Sequence, residues 1–158
     1  MPVLKRWLPV VAWSAVILMT SNDQFSAAHT GGWLRELFPT LPEPINISFR
    51  KLMHLTGYGI LGALAFRAAH AGMDNVATAA LSGRGAAEGS GTHKAFKLAV
   101  PVAFAVVLVV ACTDEWHQSL YASRGASPWD VLLDVVGAAI AIGIMIRVKQ
   151  YRPRRNTE

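Results

Sequence analysis

The sequence predicts an all-α integral membrane protein, a four-helix bundle with both termini in the cytoplasm. Three observations carry that expectation. Of the 158 residues, 53% are hydrophobic and only 16% charged, with a mean hydropathy of +0.33, whereas a soluble domain carries about 25% charged residues. The apolar residues gather into four blocks, at 8–19, 52–69, 98–112 and 131–146. The basic residues collect on one side of those blocks. The length allows a single domain, 1–158.

With their flanks the blocks predict helices over about 7–21, 49–69, 95–113 and 128–146. A bilayer-spanning helix needs about 20 apolar residues, with a range of about 17–25. The first block is short and contains Pro9. Two other readings fit parts of the pattern. Helices this short also occur in soluble cores, but no block here shows a broad charged face. Lys5 and Arg6, an apolar run and then Ser26-Ala27-Ala28 also resemble a cleavable signal peptide; cleavage would leave three helices in the same orientation. Between the second and third blocks, residues 72–94 begin GMDNVATAALSGRGAAEGSG, a composition that predicts a flexible cytoplasmic loop. A basic tail, 147–158, closes the chain.

Charge sets the expected orientation. The N-terminus, the loop after the second helix and the C-terminus hold eleven of the fifteen Lys and Arg residues: Lys5, Arg6, Arg67, Arg84, Lys94, Lys97, Arg147, Lys149, Arg152, Arg154 and Arg155. Basic loops stay in the cytoplasm during insertion, so this side is expected inside. The net charge of +5 is then a matter of topology and of contact with anionic headgroups, and nucleic acid is not an expected partner. Seven of the ten acids fall on the opposite side. Acids contribute little to topology, so their skew points to function on the outer face. Cys112 is the only cysteine and reads as a small packing residue.

The polar residues at the outer boundary form the candidate site. The second helix opens FRKLMHLTGYGILGALAF, and steps of three and four put Lys51, His54, Tyr58 and Gly62 on one face. Arg50 and Lys51 stand at a helix N-terminus, which is already positive; they either snorkel to the interface or meet an anion. The third helix runs into TDEWHQ. If it continues past Thr113, one of Asp114 and Glu115 must turn towards the bundle, with Gln118 on the same side. Glu115 and His117 lie too close in sequence to point at one ion, so no metal and no cofactor is expected. The fourth helix opens S-P-W-D, with Ser127 as N-cap, Pro128 at the first position and Asp130 at the third. Asp134 lies one turn deeper, followed by Gly137, Ala138 and Ala141; small residues at helical spacing describe a face packed on another helix, and Asp134 is expected to point inward. Between these helices Arg124, beside Gly125, is expected to hold its guanidinium over the site. There it would pair bidentately with Asp114, Glu115 or a ligand phosphate.

These residues resemble a known family. KLMHLTGYGILGAL is similar to the K-x-x-H-x-x-x-Y/F-x-x-L-G pattern of VanZ-like membrane proteins, and DEWHQSLYASRGASPWDVLLDVVGAA to their second block, through Asp114, Glu115, Gln118, Arg124, Ser127, Asp130, Gly137 and Ala138. Ser21 fits a short Ser-containing motif after the first helix. Two positions depart from the pattern: Arg50 stands where an acid often precedes the Lys, and Asp134 where Asn is usual. The resemblance implies a small, multi-pass protein of the bacterial plasma membrane, linked in the founding member to glycopeptide-antibiotic tolerance. Two functions stay open. One is a non-enzymatic binder of an anionic, lipid-linked envelope component, using Lys51, His54, Tyr58, Asp114, Glu115, Gln118, Arg124 and Asp130. The other is an enzyme acting on a lipid or glycan headgroup, with Asp114 or Glu115 as general base and His54 as acid or electrostatic group.

Overall fold

Four long helices follow one another: α1 (Val3–Thr20), α2 (Glu43–Ser82), α3 (Gly89–Ser119) and α4 (Pro128–Tyr151). The structure is a computed structural model and describes residues 3–21, 32, 36, 43–82, 89–121 and 127–151, among which there is no strand. Three helical stretches are long and apolar enough to cross a membrane: Val3–Thr20, Phe96–Ser119 and Pro128–Val148. Only 6%, 22% and 22% of these windows is buried within the protein. Apolar surface left bare on that scale requires lipid to cover it. The outward residues are of the matching kind, including Leu8, Val11 and Met19 on α1, Leu108 and Val109 on α3, and Ile140 and Ile144 on α4.

α2 is the exception, and its position explains why. It packs against α1, α3 and α4, so much of its surface never meets lipid. Tyr58, Leu61, Ala65, Phe66, Ala69 and His70 are all buried along it. A helix sheltered in this way tolerates His, Tyr and Gly residues that would be costly facing hydrocarbon.

Both ends of α2 and of α3 move from their expected positions. α2 starts at Glu43 and continues to Ser82, and α3 starts at Gly89. Most of the segment expected to be a flexible loop is therefore helical. Its glycines gather late, at Gly83, Gly85, Gly89 and Gly91, while 74–82 reads DNVATAALS, and alanine is the strongest helix former. Residues 83–88 lie outside the described residues. α3 runs through TDEWHQ to Ser119, six residues beyond the expected end at Thr113.

The α2–α4 crossing positions the site. A Cβ added to Gly62 would sit 2.7 Å from the Ala138 Cβ and 2.9 Å from its Cα. One added to Gly137 would run into the Leu55 carbonyl, with the Leu55 Cα 3.1 Å away. Only residues without bulk allow backbones this close. α1 is fastened to α2 by two side-chain donors: the Trp13 indole N–H donates to the Gly57 carbonyl at 2.8 Å, and Arg6 to that of Ala71 at 2.9 Å. Away from the site, Phe66, His70 and Phe96 pack edge to face.

Candidate functional site

The polar residues meet at the end of the bundle where α1 and α3 finish and α4 begins. Asp134 lies six residues inside α4, about 9 Å along its axis. Asp134 and Asp114 are 1% and 2% exposed. Taking a carboxylate out of water costs several kcal/mol, so both need compensation nearby.

Each acid has partners from a neighbouring helix. His54 Nδ1 on α2 lies 3.2 Å from Asp134 Oδ1. The Tyr58 hydroxyl, one turn further along α2, donates to Asp114 Oδ2 at 3.1 Å. Gln118 donates to the same oxygen, also at 3.1 Å, from one turn along α3. Spacing of four residues dictates both arrangements: His54 with Tyr58 on α2, and Asp114 with Gln118 on α3, share a face. The His54 and Tyr58 rings lie nearly parallel, with centroids 6.2 Å apart. Asp114 Oδ1 is buried without a partner among the described residues.

A cavity of about 310 Å³ opens beside this network. Trp13, Val16, Ile17, Phe49 and Met53 give it a largely apolar wall, and Thr20, Ser21, Arg50, His54, Tyr58 and Asp114 a polar one. The Ser21 hydroxyl is a second buried polar atom with no partner among the described residues. His54, Asp114 and Asp134 each offer one metal-ligating atom, and the three atoms lie within 4.8 Å of one another. Sequence spacing pointed away from a metal because it compared neighbours on one helix. The ligating trio comes from three helices, which no local spacing reveals.

The model of the VanZ/LLP1 family matches residues 6–149. The chain belongs to the VanZ/LLP1 family. No curated protein and no solved structure matches it. The match takes in the first apolar stretch from Arg6 onward, the other two entirely, and every polar residue of the site.

In this VanZ/LLP1 protein the candidate residues separate into groups. His54, Tyr58, Asp114 and Gln118 are brought together, and Asp134 joins them as the fifth member. Glu115 is set apart: its carboxylate accepts from the Ser127 backbone N–H and so ties α3 to the start of α4. Ser127 in turn caps α4, its hydroxyl accepting from the Trp129 N–H at 3.3 Å. Asp130 is half-buried in the first turn of α4, where the helix N-terminus favours an acid. Lys51 is exposed, and among the described residues it makes no ion pair with these acids. Arg50, beside it, lines the cavity instead. Arg124 lies outside the described residues. Sequence reasoning singled out neither Trp13 nor the cavity that it lines. A Trp in mid-span is a weak signal of such a role, because its N–H needs a buried acceptor.

Proposed function

We propose that this VanZ/LLP1 membrane protein binds, without chemical turnover, an anionic lipid-linked component of the bacterial cell envelope, and modulates tolerance to glycopeptide antibiotics through it. The observation that carries the reading is the two-sided cavity between α1 and α2. Its wall of Trp13, Val16, Ile17, Phe49 and Met53 suits a hydrocarbon chain. Arg50 offers a fixed fork of donors suited to a phosphate, and the Ser21 hydroxyl offers another donor. The protein is read as multi-pass in the plasma membrane, with this end of the bundle at the outer face. The eleven-to-four division of basic residues supports that orientation.

The test compares lipids that co-purify with the full-length protein, identified by mass spectrometry. Arg50→Gln is expected to retain at least tenfold less of an anionic lipid than wild type, a loss of about 1.4 kcal/mol. Lys51→Gln, altering an exposed side chain, is expected to retain it. Equal lipid content in all three proteins overturns the reading. One observation favours the enzymatic alternative, the buried Asp114 close to His54, with one oxygen that has no partner among the described residues. Turnover of a lipid headgroup, abolished in Asp114→Asn with binding retained, decides for it.

A further inference from the structure

We propose that His54, Asp114 and Asp134 hold one divalent transition-metal ion, Zn2+ or Mn2+, between α2, α3 and α4. The two carboxylates are almost fully buried in a membrane protein; among the described residues Asp134 pairs with His54, and Asp114 is met by the neutral donors Tyr58 and Gln118. A neutral imidazole and two carboxylates leave two negative charges, which a divalent cation balances. Burial without such balance is strongly unfavourable.

The geometry supports an ion. Two ligand atoms each about 2.0–2.1 Å from a tetrahedral metal lie about 3.3 Å apart. His54 Nδ1 and Asp134 Oδ1 are 3.2 Å apart, and the third ligand atom lies within 4.8 Å of both, a distance that a small side-chain rotation closes. A second observation concerns the oxygens of Asp114 themselves. Tyr58 and Gln118 both donate to Asp114 Oδ2, which fixes the carboxylate, while Oδ1 is buried with no partner among the described residues. A carboxylate held through one oxygen with the other free is how outer donors orient a metal ligand. Imidazole with two carboxylates suits Zn2+ or Mn2+ better than Mg2+ or Ca2+, which prefer all-oxygen sets. His54 and Asp114 both line the cavity, so the remaining coordination positions open onto it. Binding needs the Nδ1 lone pair and both carboxylates ionised. The one proton of the neutral imidazole therefore stands on Nε2 when the ion is bound, leaving the Nδ1 lone pair that faces Asp134 for the metal.

The test uses full-length protein with a non-histidine tag, stripped with EDTA and dialysed against ZnCl2 or MnCl2. Bound metal is measured after gel filtration. Wild type is expected to retain one ion per chain and to melt at a higher temperature with metal than in EDTA. Asp134→Asn keeps the shape and removes the charge; it is expected to fold and to bind at least tenfold more weakly. Tyr58→Phe, which touches no metal directly, is expected to weaken binding by about 10–100-fold through the loosened Asp114. Should Asp134→Asn not fold, His54→Gln replaces it in the same comparison. Wild type free of metal at saturating Zn2+ and Mn2+ overturns the proposal. Equal binding by wild type and the variants places the ion elsewhere and overturns it too. Neither result bears on Arg50 or the lipid, so the two proposals fail separately.

Discussion

Asp114 joins everything at the site. Its Oδ2 gathers donors from α2 and α3, its Oδ1 has no partner among the described residues, and the residue lines the cavity. A buried acceptor left without a donor costs about 1–3 kcal/mol. Such a cost is readily explained where a ligand or ion completes the site. The Tyr58 bond contributes less to the fold than its burial suggests. Interhelical hydrogen bonds in membranes average about 0.6 kcal/mol, with a maximum near 1.7. Tyr58→Phe is therefore expected to lower stability by about 0.6–1.7 kcal/mol in detergent unfolding while removing most function in an envelope-sensitivity assay. A loss of stability well above that range would make Tyr58 chiefly a structural residue. Arg50 and Lys51 teach a related lesson. They are neighbours of the same charge, yet the helix turns one to the cavity and the other outward.

At the scale of elements, the site depends on how closely α2 and α4 approach. Gly137 faces the Leu55 carbonyl, one residue beyond His54 and three beyond Asp134. Backbone cannot yield to a new methyl as a flexible side chain does. Overpacking of this kind costs about 1–3 kcal/mol, and Gly137→Ala is expected to cost that much and to separate His54 from Asp134. Gly143, on the same helix, has nothing within 4 Å of an added Cβ. Gly143→Ala is expected to be neutral or slightly stabilising, since alanine is the better helix former by up to about 1 kcal/mol. Thermal unfolding of both variants checks the contrast, and equal effects at the two positions would count against the close crossing. The α3–α4 corner is secured differently, by Glu115 bonding the Ser127 N–H and by the Ser127 cap. Glu115 thus acts in the joint between elements rather than within the buried network.

For the whole molecule, length and charge set the arrangement in the membrane. The 40 residues of α2 extend about 60 Å, twice the roughly 30 Å of a bilayer core. About half of it therefore stands outside hydrocarbon, and the basic residues predict which end. Ser82→Cys in a Cys112→Ser background is expected to react with an impermeant thiol reagent only after the cells are opened. Labelling from outside intact cells would reverse the orientation and move the acidic site to the cytoplasmic face.

By itself the sequence determined the class of the protein. Blocks of apolar residues with few charges can satisfy their backbone in lipid only as helices, and that property is written in composition. Local spacing also showed much of the site, because the three-and-four rule pairs His54 with Tyr58 and Asp114 with Gln118 without reference to any other helix. The inward turn of Asp134 was legible from the small residues that follow it. Helix ends were less so: Gly and Ser between 83 and 91 suggested a loop from residue 72, although the alanines of 74–82 continue the helix. Which helix faces which was a matter for tertiary structure. Contacts between α2, α3 and α4 join residues 54, 114 and 134, far apart in sequence, and depend on backbones meeting at Gly62, Gly137 and Ala138. Packing alone chose Arg50 over Lys51 for the cavity, enclosed that cavity with Trp13, and aimed donors from two helices at one oxygen of Asp114, because each outcome depends on the rotation of one helix against another.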